Sequence, residues 1–187
     1  MDGSGQPDAG RTPQARSSGI TTLYSDNERR TWKHGELIDT DSPEITSPNE
    51  MQVIQLADGR VMANIRTRDK RELRAVATSP DGISWTKPQF DEHLYDPICA
   101  AGIVRYSFVT GNDRNRILFT NSDSESLPGS RQGGHGFQRN LTLKLGEDEG
   151  KSWTVTRLLH EGSSGYSDVA VAPDKTIDVI YEGARTG

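Results

Sequence analysis

The chain has 187 residues, enough for one domain with its own core, since a domain of about 150 residues already buries roughly two-thirds of its unfolded surface. Hydrophobic residues make up only 32%, while Gly reaches 19 and Pro 9, a balance that suits a loop-rich all-β domain better than a helical bundle. The net charge of −5, with no long run of Lys or Arg, argues against a nucleic-acid partner, so an anionic ligand must be held by a few placed cations.

Residues 1–18 are Gly, Ser, Pro, Gln and Arg with almost no apolar side chain, so they cannot offset their ordering entropy and are expected to form a disordered tail. Residues 19–187 are expected to form the folded domain. Short alternating runs between Gly, Asp, Asn and Pro clusters predict strands over 51–57, 60–66, 72–78, 102–108, 116–120, 137–145, 154–159, 169–172 and 176–182. Between the first two, Ala57-Asp58-Gly59-Arg60 predicts a type I′ hairpin turn. Nothing keeps a 3.6-residue apolar period and no βαβ alternation occurs, so the strands read as an antiparallel meander. The single cysteine, Cys99, sits beside Ile98, Ala100 and Ala101 and reads as a small buried hydrophobe. No stretch approaches the roughly 18 apolar residues of a membrane span, and the N-terminus has no apolar core for a secretory signal, so the compartment is left open.

All three tryptophans close similar windows: Ser25-Asp26-Asn27-Glu28-Arg29-Arg30-Thr31-Trp32, Thr78-Ser79-Pro80-Asp81-Gly82-Ile83-Ser84-Trp85 and Gly146-Glu147-Asp148-Glu149-Gly150-Lys151-Ser152-Trp153. Asp and Gly suit a hairpin corner, and a Trp behind it plugs the space under the turn. The first copy, with Asn27 and Arg29 where Asp and Gly would serve, reads as degenerate. These windows resemble the Asp-box that punctuates sialidase and related propeller blades, where its role is structural. Tryptophans about one blade apart predict three to four antiparallel four-stranded blades of a six-bladed type of β-propeller. Such an arc leaves strand edges unpaired, which leaves self-association open.

Two further segments share a spacing. Glu50 precedes an alternating strand and Arg66 ends the strand that returns from the hairpin. Tyr166 and Glu182 stand in the same relation sixteen residues apart, so each pair belongs at one rim of a sheet. Taken alone, the first pair reads equally as a surface ion pair across a hairpin, and the tyrosine as a packing residue. The Asn-Glu strand ending in Asn64-Ile65-Arg66, the Gly165-Tyr166-Ser167-Asp168 segment and the Tyr181-Glu182 after it together look like the C-terminal part of exo-α-sialidases. Phe137-Gln138-Arg139-Asn140 is similar to the segment that carries that family's last triad arginine. The likeness runs from about Thr22 to Gly187.

The resemblance implies retaining hydrolysis of a terminal sialic acid from a glycoconjugate. Tyr166 would be the nucleophile, Glu50 its general base, Arg66 and Arg139 two of three carboxylate-binding arginines, and Glu182 the support of the third. The family pattern also has an arginine in an Arg-Ile-Pro segment and an early aspartate that protonates the leaving group. No Arg-Ile-Pro occurs in this sequence, and neither Asp26 nor Asp58 is assigned as the acid. The expectation is therefore of a truncated sialidase, weak or inactive alone, with a non-catalytic module binding sialylated glycans or a protein partner as the alternative. His34, His93 and His160 have no paired metal-ligand spacing and no EF-hand pattern occurs, so no metal or cofactor is expected; His135, in a Gly-rich stretch, reads as a loop residue that could line a pocket rim.

Overall fold

The computed structural model describes residues 19–38, 45, 47–111, 113–128 and 138–183. The expected tail, His135 and Phe137 lie outside them. Among the described residues all regular structure is strand, and every pairing is antiparallel. A hairpin of β1 (Ile20–Tyr24) and β2 (Lys33–Ile38) is followed by a four-stranded meander of β3 (Met51–Gln55), β4 (Val61–Ile65), β5 (Leu73–Ser79) and β6 (Gln89–Tyr95). The third sheet runs β7 (Gly102–Ser107), β8 (Arg116–Ser122), β9 (Arg139–Gly146), β10 (Val155–Val171) and β11 (Ile177–Gly183).

Two strands expected over 154–159 and 169–172 are one strand of 17 residues, β10. The Gly-Ser-rich stretch between them looks like a loop by composition. Here it stays extended because each end finds a different partner: residues 155–163 pair with β9 and residues 164–171 with β11, with register shifts between. Gly162, at φ 101°, is the one residue of this strand in the left-handed region, where a side chain would be strained. One half of β10 therefore completes a four-stranded blade with β7, β8 and β9, and the other half opens the next with β11. Strands β1, β2 and β6 lie outside the expected list. β6 carries Asp91, Glu92 and His93 and pairs only with β5, so an edge position, not apolar alternation, defines it.

The β3–β4 turn corrects the expected type. Among the described residues of the turn only Gly59 has positive φ, at 88°, and its N–H donates to the Leu56 carbonyl at 3.1 Å, a type I turn closed by a left-handed Gly. Asp58 stays out of the left-handed region, and its carboxylate accepts from Arg60 N at 3.1 Å and Arg60 Nε at 2.8 Å.

The tryptophan windows form the corners. Asp148 accepts from Ser152 N at 2.8 Å and Oγ at 2.6 Å, with Glu149 and Gly150 both at positive φ. In the first window Asn27 accepts from Thr31 N at 2.9 Å and donates to Thr31 Oγ1 at 2.8 Å, with Glu28 and Arg29 at positive φ. The degenerate sequence thus keeps the turn of the third, an arginine holding the conformation that Gly150 holds there. Asp81 makes a tighter version, accepting from Ile83 N at 2.8 Å and Ser84 N at 2.9 Å.

The core lies between sheets. Ile54, Leu56, Met62 and Leu94 from one blade meet Ala101, Ile103, Ile117 and Phe119 of the next, with Trp153 packed against them. Ile20 and Ile38 of the first hairpin pack with Ala63, Ile65, Ala75 and Ala77. Cys99 is buried as expected, and burial pushes its thiol up to about 12. This packing sets β3 against β7 and β7 against β10. At Gly102 a Cβ would lie 2.7 Å from Val169 N, so glycine there lets two blades approach at their inner strands.

Candidate active site

Each of the two spaced pairs closes a hairpin. Arg66 N–H donates to the Glu50 carbonyl at 3.0 Å, one step beyond the Met51–Ile65 register pair, so both side chains emerge at the end of β3 and β4. Tyr166 N–H donates to Glu182 Oε2 at 3.3 Å across the β10–β11 hairpin. The Ser167 N–H donates to the Ala100 carbonyl at 3.2 Å, which docks the start of the second hairpin on the segment entering β7.

The two hairpins meet. Tyr166 Oη donates to Glu50 Oε1 at 2.8 Å, across 116 residues of sequence. Arg66 Nη1 donates to Tyr166 Oη at 3.0 Å and to Glu50 Oε2. The three groups form a closed triangle in which Arg66 is buried, Glu50 half-buried and Tyr166 40% exposed, so the phenol is reachable from solvent. A cavity of about 440 Å³ opens beside it, lined among others by Glu50, Gln52, Ala100, Tyr166, Asp168 and Glu182. Arg139 is exposed at the start of β9, opposite Ser163, outside that lining, and its side chain has no hydrogen bond or ion pair to another described residue.

The triangle sets its own electrostatics. Burial would raise the Glu50 carboxyl, but the phenol donor, the backbone and the Arg66 guanidinium outweigh it and hold the group below the ordinary glutamate value. The Glu50 acceptor pushes the Tyr166 phenol above its ordinary value, against the pull of Arg66. Burial would lower Arg66, and its contacts with Tyr166 and Glu50 reverse that. At neutral pH the site therefore holds a carboxylate, a neutral phenol and a guanidinium in mutual contact. Such a carboxylate is placed to take the phenolic proton, which is what a phenol needs to act as a nucleophile.

Gln52 and Asp168 also face the cavity, and the sequence reading did not single them out. Gln52 Nε2 donates to Asp168 Oδ1 at 2.9 Å and its Oε1 accepts from Ile103 N at 2.6 Å. Each lies two residues beyond Glu50 or Tyr166, on the same face of its strand, so the two-residue period was the signal that could have found them.

The family description "BNR repeat-like domain" matches residues 7–179. The chain belongs to the BNR repeat-like domain family. Within this family's reach, it is 32% identical over 165 residues to a sialidase of Micromonospora viridifaciens, covering 86% of this chain and 23% of that protein. Its fold superposes on a Streptococcus pneumoniae sialidase with TM-score 0.68 at 20% identity, over 89% of this chain and 24% of that one. It also superposes on Trypanosoma rangeli sialidase in complex with 2,3-difluorosialic acid, described as a covalent intermediate, with TM-score 0.57 at 20% identity, over 86% and 24%. This BNR repeat-like chain thus spans about a quarter of the length of the relatives it matches, and its blades are an arc of a β-propeller.

Proposed function

We propose that the chain carries the nucleophile and base of a retaining exo-α-sialidase acting on terminal sialic acid of glycoconjugates. The observation that carries this reading is the 2.8 Å hydrogen bond from Tyr166 to Glu50, with Arg66 touching both. Sialic acid bears a carboxylate on its anomeric carbon. An anionic nucleophile would be repelled there and a neutral phenol is not, which is why sialidases depart from the two-carboxylate scheme of glycoside hydrolysis.

In the proposed step Tyr166 Oη bonds to the anomeric carbon, the bond to the leaving oxygen breaks, and the phenolic proton passes to Glu50. Arg66 presents its guanidinium to the substrate carboxylate, with Arg139 as the second cation once the sugar is bound. Glu182, hydrogen-bonded to Tyr166 N, has its carboxylate in the cavity wall, where it would support a further cation. The leaving oxygen needs a proton, and no aspartate of this chain is assigned to give it. General-acid help is worth about 10²–10⁴ in rate, so turnover should depend steeply on how good the leaving group is.

That dependence selects the experiment. Fluoride leaves without protonation, so 2,3-difluorosialic acid should add one fluorosialyl group to the Tyr166 peptide, read by mass spectrometry. Tyr166→Phe should remain unlabelled. Label on another residue would move the nucleophile away from Tyr166, and binding of sialic acid that Arg66→Ala abolishes with no label in the unaltered chain would replace this reading with that of a glycan-binding module.

A further inference from the structure

Beneath the triangle lies a charged pair that the proposed chemistry does not use. Arg74 on β5 and Asp96 after β6 are 1% and 0% exposed, with Arg74 Nη1 3.7 Å from Asp96 Oδ2. Each reaches both sides of the site. Arg74 Nε donates to Asn64 Oδ1 at 2.7 Å and Nη1 to the Cys99 carbonyl at 3.2 Å. Asp96 Oδ2 accepts from Thr67 N at 2.9 Å, and its Oδ1 accepts from Ile98 N at 3.0 Å and Cys99 N at 3.3 Å. Asn64 and Thr67 bracket Arg66 in sequence. Cys99 precedes Ala100, whose carbonyl holds the N–H of Ser167, the residue after Tyr166.

We propose that Arg74 and Asp96 are positioning residues that set the separation between the Glu50–Arg66 hairpin and Tyr166. A buried ion pair is a poor source of stability, because desolvating both charges roughly cancels their attraction. What this pair supplies is geometry: a planar fork and a carboxylate bound to both of the segments that must stay in register for a 2.8 Å contact across 116 residues. Loosening the clamp should let the phenol drift from Glu50. A displacement of about 1 Å can lower a rate about 100-fold without touching the reacting groups.

The inference rests on the sialidase reading for its chemical consequence and not for its geometric one, so two readouts separate them. The first is the phenol titration of Tyr166, followed by tyrosine Cζ NMR with Tyr166→Phe for assignment. The second is the rate of labelling by 2,3-difluorosialic acid. In Arg74→Met the phenol should titrate closer to its ordinary value of about 10, and labelling should slow by about 10- to 100-fold. Lys144→Met is the control. It removes another buried cation, bound to Asp123 at 2.8 Å and the His93 carbonyl at 3.0 Å, from outside the clamp, and should leave the phenol unchanged.

A shifted titration in Arg74→Met without any labelling of the unaltered chain keeps the clamp and removes the sialidase reading. An unaltered titration and labelling rate in a folded Arg74→Met protein overturns the clamp and keeps that reading. Should Arg74→Met fail to fold, Arg74→Lys decides on the same two readouts, since a lysine keeps the charge beside Asp96 but cannot bridge Asn64 and Cys99 together.

Discussion

At Glu50 a single substitution separates the two influences on the phenol. Glu50→Gln removes the charged acceptor that raises Tyr166 and leaves the Arg66 guanidinium that lowers it, so the Tyr166 titration should fall in that variant, measurable by ultraviolet difference spectra. Its labelling by 2,3-difluorosialic acid should drop by about 10²–10⁴, the usual worth of a positioned base. The pH dependence follows from the direction of the Glu50 shift. Because its folded value lies below the unfolded one, its contribution to stability is complete above the ordinary value of about 4.3 and is lost as pH falls through the lower, folded value. Labelling should stay flat from neutrality through about 4.3 and fall only as pH passes the lower, folded value of Glu50, and thermal unfolding of Glu50→Gln should be less acid-sensitive than that of the unaltered chain.

The tryptophan corners make a matched pair of tests at the level of the turn. Arg29 and Gly150 share a left-handed conformation, yet only the glycine adopts it without strain. Arg29→Gly should therefore leave the chain as stable or up to about 1 kcal/mol more stable, while Gly150→Ala should destabilise it by about 1 kcal/mol, both read from urea midpoints. Asp148→Ala removes two hydrogen bonds to Ser152 and should cost about 1–2 kcal/mol by the same measurement. Labelling of Tyr166 should be unmoved by all three, since these corners lie outside the cavity lining.

Across the whole molecule the blades hold one another. Phe119 is fully buried at the contact between the β3–β6 blade and the blade that begins at β7, with its ring 5.6 Å from Trp153. Phe119→Ala should destabilise by about 3–5 kcal/mol, and both blades should lose hydrogen-exchange protection together. β11 presents Ile180 at 75% exposure and pairs only with β10, so its amides should exchange ahead of those of β8.

Alternation and corner chemistry were legible from residues alone: the hairpins bounded by Glu50 and Arg66 and by Tyr166 and Glu182, the all-β meander and the three tryptophan turns all follow from local pattern. The extended run through Gly162 was not, because strand partners on either side, absent from local composition, keep it extended. The turn type was not legible either, because an Asp-Gly pair fits more than one hairpin turn and only the backbone, with Gly59 alone at positive φ, decides between them. The contact of Tyr166 with Glu50 is of another kind. It joins strands of different blades, and its distance is set by how the sheets pack and by the buried Arg74 and Asp96 between them. In sequence these are two ordinary charged residues, Arg74 within a strand and Asp96 just after one; enclosure by the surrounding fold, which only folding supplies, turns them into the link between the hairpins.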